Sequence, residues 1–194
     1  MTEYLETDEQ NDVLTSLREV SHQLDRIKLD AGNWKWAVIA LSSAVNGAMT
    51  CNLTGTMQIG ALEKNKVEKT VSALQSKSTQ NLPIQHLAKP LELLNRIQNK
   101  DRFEQAGPPI EITSAQENSV ATILFLRNQF MHFSPSSWLI EVNGLPNTFV
   151  HIISLIDIIR NDGWSFRHLG AANAKELDGL IQKIANQLLE MTIP

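Results

Sequence analysis

Residues 13–28 read VLTSLREVSHQLDRIK. Val13, Leu17, Val20, Leu24 and Ile27 recur at steps of three and four, the spacing that lines up one apolar stripe on an α-helix. Thr7, with Gln10 three residues on, has the form of a capping box that opens this helix. Gly32 interrupts the pattern, and a second helix is predicted from about Asn33 to Leu53. Ala40, Ala44, Gly47, Ala48 and Cys51 form a seam of small residues along it, where another helix can approach closely.

The same reading carries down the chain. Thr54 to Gly60 is a loop, and a third helix is predicted over Ala61 to Lys77 with Leu62, Val67, Val71 and Leu74 buried. A polar turn at Ser78 to Asn81 leads to Pro83, which starts a fourth helix carrying Leu87, Leu91, Leu94 and Ile97. Pro90 inside it should kink or break it. Gly107-Pro108-Pro109 is a loop within the domain. Ser114 and Glu117 form a second capping box, so a helix begins near Ala115 and ends before Pro135. Trp138 to Val142 alternates loosely before the Asn143-Gly144 turn signal, which suits a short extended excursion near 138–145. Pro146 to Asn161 is an apolar helix fit for a central place or a subunit interface. Asn173 and Glu176 cap a last helix reaching about Glu190. The expected fold is an all-α bundle of five to seven helices in one domain, residues 1–194. Its core covers about 33–190, and the first helix, about 8–29, is an addition.

The chain has 194 residues, 42% of them hydrophobic, 20% charged, with 9 Gly and 7 Pro. That is a globular composition, neither disordered nor fibrous. A net charge of −4 argues against coating nucleic acid by bulk electrostatics, so any RNA contact needs a locally positive cleft. The single cysteine, Cys51, suits a reducing, cytoplasmic compartment. The acidic, polar start from Met1 to Asp12 is unlike a signal peptide. Trp36 to Leu53 is the most apolar window, but Ser42, Ser43, Asn46, Thr50 and Asn52 make it a buried helix rather than a membrane span.

On a wheel of about 100° per residue, Val120, Ile123, Leu124, Phe130 and Met131 share one face of the helix from Ala115, with Arg127 in the middle of it. A guanidinium stays protonated and must find carboxylate, phosphate, carbonyl or water there. His132 lies about 140° around the wheel from Arg127. Asn128, four residues before His132, is placed to orient its ring. A helix end near Ser134-Pro135, or a cleft shared with a second subunit, would bring Arg127 and His132 to one point.

The hexapeptide Arg127-Asn128-Gln129-Phe130-Met131-His132 resembles the signature of the HEPN family. That signature is an arginine, usually a polar residue next, and a histidine four to six positions after the arginine, late in a long helix of a small bundle. The resemblance covers about residues 33–189, although only the hexapeptide is specific. It implies a metal-independent endoribonuclease, a homodimer whose motif helices face one cleft, with RNA as substrate and neither metal nor cofactor. It also implies a toxin or defence role, with room for an antitoxin or other regulatory protein and no membrane attachment. Histidine as general acid or base would be His132, the phosphate-holding group Arg127, and the orienting group Asn128. The family's toxin branch often has a tyrosine two residues after the histidine. Ser134 stands there and Tyr4 is the only tyrosine, so nucleotide transfer to that tyrosine is not implied.

The competing class is a non-catalytic helical module that binds a nucleotide or a protein partner. In that case Arg127 pairs with a core carboxylate such as Asp157 or Glu141. His151, Ser154 and Asp157 form a polar stripe on the apolar helix, either lining the same cleft or facing water. Trp34, Trp36, Trp138 and Trp164 suit packing more than base stacking. Gly55 and Gly60 have the phosphate-loop interval, but Ala61-Leu62 follows instead of Lys and Ser/Thr. The histidines never form a helical metal pair, and no Gly-x-Ser-x-Gly elbow exists.

Overall fold

A computed structural model describes residues 2–5, 7–76, 84–99, 106–132, 135, 137 and 139–192. Among the described residues there are seven helices: α1 (Glu9–Ile27), α2 (Asn33–Leu53), α3 (Lys64–Gln75), α4 (Pro90–Gln98), α5 (Ser114–Met131), α6 (Leu145–Arg160) and α7 (Ala171–Thr192). Among the described residues there is no strand, only an isolated antiparallel bridge between Leu62 and Leu87. The all-α expectation holds, and where the extended excursion near 138–145 is expected, the described residues 139–144 are irregular backbone and the turn before α6. No described helix is long and apolar enough to cross a membrane.

The hub is α2, which packs against α1, α4, α5 and α6. Its small-residue seam explains the close approach of α1: a Cβ on Gly47 would sit 2.6 Å from Val13 Cγ2. Val13, Leu17, Val20 and Leu24 of α1 are wholly buried in the same core cluster as Leu41, Val45 and Met49 of α2. α6 joins them through Phe149, whose ring meets Trp34 edge-on at 5.3 Å between centroids. α7 closes the other side of α1. Arg18 donates to Glu176 from Nε at 2.6 Å and from a terminal nitrogen at 2.7 Å, and Gln187 donates to Asp25 Oδ1 at 2.6 Å.

Several boundaries differ from the sequence expectation for local reasons. Asp8, not Thr7, caps α1, accepting from Asn11 N at 2.7 Å. The box at α5 is Thr113 with Gln116, one residue before Ser114 and Glu117. α3 starts at Lys64 because Leu62 is spent on the bridge, and Leu74 is exposed. Pro90 begins α4 instead of bending it, which leaves Leu87 outside the helix and Leu91 exposed. Asn173 and Glu176 lie inside α7 and bond to Asn11 and Arg18 of α1 rather than capping their own helix. Lys77, the turn at Ser78 to Asn81, Pro83, Ser134 and Trp138 fall outside the described residues.

Candidate functional site

The site is built on the last two turns of α5. Its capping box fixes where the helix starts, and Val120, Ile123, Leu124 and Leu126 anchor it on the core. That anchoring sets the rotation of everything after it. Leu126 turns inward, so Arg127 lies half-buried at the border of the buried face and Met131 points out. The expected placement of Arg127 in the centre of a buried apolar face is corrected accordingly, although Met131 does line the same groove as Arg127.

Arg127 donates from a terminal nitrogen to Asn128 Oδ1 at 2.9 Å. Among the described residues it forms no ion pair, and neither Asp157 nor Glu141 reaches it. Asn128 therefore serves the arginine with its side chain and His132 only with its backbone carbonyl, which accepts from His132 N at 3.0 Å. The expected Asn128 contact to the imidazole ring is absent among the described residues. His132 caps α5 with φ −120° and ψ 64°, so the chain leaves the helix there and the ring is exposed. Asn128 and His132 share an exposed stripe with Ala121 and Phe125, and Phe125 is 60% exposed. Within one subunit no hydrogen bond joins Arg127 to His132 among the described residues.

Arg127 instead opens onto a groove of about 470 Å³ between the start of α1, the middle of α2 and the end of α5. Asp8, Glu9 and Asp12 line it, with Ile39, Leu87 and Met131 as apolar walls. These acids come from more than 110 residues upstream, and only helix packing brings them to the arginine. Their one sequence signal was the acidic first turn of α1, which a helix dipole alone explains. The His151–Ser154–Asp157 stripe does not reach this groove. Ser154 and Asp157 line a second one, between α6 and α7, with Gln182 and Asn186.

Other candidates resolve into packing. Trp34 is buried, and Trp164 donates from Nε1 to Thr54 O at 3.2 Å beneath the Arg167 guanidinium. Among the described tryptophans Trp36 alone is exposed, with the Lys35 ammonium 4.9 Å from its ring centroid. Burial pushes the Cys51 thiol well above its ordinary range, and the nearby Glu9 and Asp8 charges push it further, which disfavours the nucleophilic thiolate. No group of three His, Cys, Asp or Glu side chains converges as a metal site would need, among the described residues. No protein-family model matches this chain, and no curated protein or solved structure matches it.

Proposed function

We propose that this protein is a metal-independent endoribonuclease of the HEPN type, with Arg127, Asn128 and His132 acting on the scissile phosphate. The observation that carries this reading is the state of Arg127. It is half-buried, steered by the neighbouring Asn128, and neutralised by no carboxylate within ion-pair distance among the described residues. A cation held this way is ready for an anionic ligand, and its planar fork fits a phosphate.

The chemistry needs no cofactor. A histidine takes the proton from the RNA 2′-hydroxyl, whose oxygen attacks the adjacent phosphorus. The bond from phosphorus to the 5′-oxygen breaks, and a second acid protonates that oxygen, leaving a 2′,3′-cyclic phosphate and a 5′-hydroxyl. One subunit supplies a single His132, so a homodimer gives both the base and the acid. The exposed Ala121–Phe125–Asn128–His132 stripe supports such a pairing, because burying Phe125 against its copy would set two motif helices side by side. A toxin or defence role, restrained by a regulatory protein, belongs to the same reading.

A second reading, a non-catalytic module that binds a nucleotide or a protein partner, is favoured by Asp8, Glu9 and Asp12, which would repel an RNA backbone lying along the whole groove. One assay separates the two. Purified protein on mixed RNAs should cut in EDTA and leave cyclic phosphate ends, and RNA methylated at the 2′-hydroxyl should resist. Cleavage abolished by EDTA, or retained by both Arg127→Ala and His132→Ala, overturns the ribonuclease reading. Sedimentation should show a dimer at micromolar concentration.

A further inference from the structure

We infer that the Arg127 groove is a nucleobase pocket that selects guanine, with the Glu9 carboxylate as the reading group and Arg127 on the adjoining phosphate. The inference rests on Arg127 being the phosphate-holding group of the proposed function, and it explains the acids beside it.

The groove has the size of a small-molecule site: about 470 Å³, where such sites span roughly 300–1,000 Å³. Its apolar walls, Ile39 and Met131, suit the faces of a planar ring. Its lining carries both signs of charge, the Arg127 guanidinium and the carboxylates of Asp8, Glu9 and Asp12, with no ion pair to Arg127 among the described residues. A phosphate belongs only at the arginine, so the ligand's other end must offer donors.

Two of the three acids are already engaged. Asp8 Oδ1 accepts from Asn11 N at 2.7 Å and from Asn11 Nδ2 at 3.0 Å as the cap of α1. Asp12 Oδ2 accepts from Ser43 Oγ at 3.3 Å. Glu9 is half-buried and has no hydrogen bond or ion pair from its side chain among the described residues. One polar group of the lining is unmet as well. Asn46 lines the groove with its Oδ1 buried and unpartnered. Ser42, only 2% exposed, lines it too and brings a hydroxyl. A buried polar group left like Asn46 Oδ1 is costly until a ligand or water meets it.

Base chemistry then chooses the occupant. The Watson–Crick edge of guanine carries N1–H and the N2 amino group side by side, two donors for the two oxygens of one carboxylate. It leaves O6 to accept from a donor such as the Ser42 hydroxyl. Uracil offers a single N3–H between two carbonyl oxygens that a carboxylate repels. Adenine and cytosine each place an acceptor nitrogen beside their one amino group. Unpaired bases splayed from single-stranded RNA are read on this edge.

The test is calorimetric titration of the intact protein with 3′-GMP and 3′-UMP, beside RNA cleavage by the same preparations. Wild type should bind 3′-GMP at least about tenfold more tightly than 3′-UMP, the discrimination expected of one bidentate base contact. Glu9→Gln should remove most of that preference, and Arg127→Ala should weaken both nucleotides together. Equal affinities, a preference that survives Glu9→Gln, or no binding of either nucleotide at millimolar concentration overturns the inference. RNA cut without base selection leaves the ribonuclease reading standing and this one refuted. Selective, Glu9-dependent binding without cleavage does the reverse.

Discussion

Asn52 Nδ2 donates to Asp162 Oδ2 at 2.7 Å, tying the end of α2 to the turn that follows α6. The same amide reaches Pro108 O at 3.2 Å, so one wholly buried side chain joins three segments. Asp162 also accepts from Trp164 N at 2.7 Å and Ser165 N at 2.8 Å. Asp162 keeps its Trp164 and Ser165 donors without the amide, so Asn52→Ala should cost two buried hydrogen bonds and the side chain's packing, about 2 kcal/mol in all. Urea denaturation checks it, and a change within error would show that water replaces the amide.

Two glycines should respond in opposite directions. A Cβ on Gly60 would stand 1.9 Å from Leu53 O, a backbone atom that cannot rotate aside. Gly60→Ala should therefore cost about 3 kcal/mol, the upper end of overpacking effects. Gly179 lies in the middle of α7 with nothing within 4 Å of its added Cβ. Gly179→Ala should stabilise by up to about 1 kcal/mol through helix propensity alone. Thermal melts of the pair read both signs.

The docking of α7 on α1 should depend on acidity. Arg18 holds the Glu176 carboxyl below its ordinary value of 4.5, chiefly by hydrogen bonding. A lowered folded-state value means that the contribution is present above about 4.5 and is lost as pH falls through the folded-state value. Glu176→Gln should then melt slightly below wild type at neutral pH, and the gap should close in strong acid. The pair is well exposed, so the gap is small and should shrink in salt. A gap that persists in strong acid would mean the carboxyl's charge is irrelevant to docking.

Periodicity made α2 legible to the residue, because its apolar run begins after a breaker and ends at a polar loop. The caps slipped by one residue where patterns overlapped. Thr113-x-x-Gln116 and Ser114-x-x-Glu117 are equally good boxes on paper, and burial of Gln116 decides for the first. Asn173 and Glu176 misled because their partners, Asn11 and Arg18, lie on another helix, which local reading does not see. At the site, Arg127, Asn128 and His132 stood out as a motif. The rotation of α5 did not, since it depends on how Leu126 packs, and neither did the meeting of Arg127 with the acids of α1.

The sharpest separation of roles is at Arg127. Among the described residues its only side-chain hydrogen bond is to the adjacent Asn128, and it is half-exposed to the groove. Removing it breaks no buried network, so Arg127→Ala should change stability by less than about 1 kcal/mol. His132 is exposed at the end of α5, and His132→Ala should be as mild. If the two residues serve the scissile phosphate, each variant should lose at least about a hundredfold in RNA cleavage while melting like wild type. Asn128→Ala should fall between, because it frees the guanidinium without removing it. The pairing of full stability with lost activity is what a structural arginine does not produce. A marked drop in melting temperature for Arg127→Ala, with cleavage intact, would place the residue in the scaffold and end the catalytic assignment.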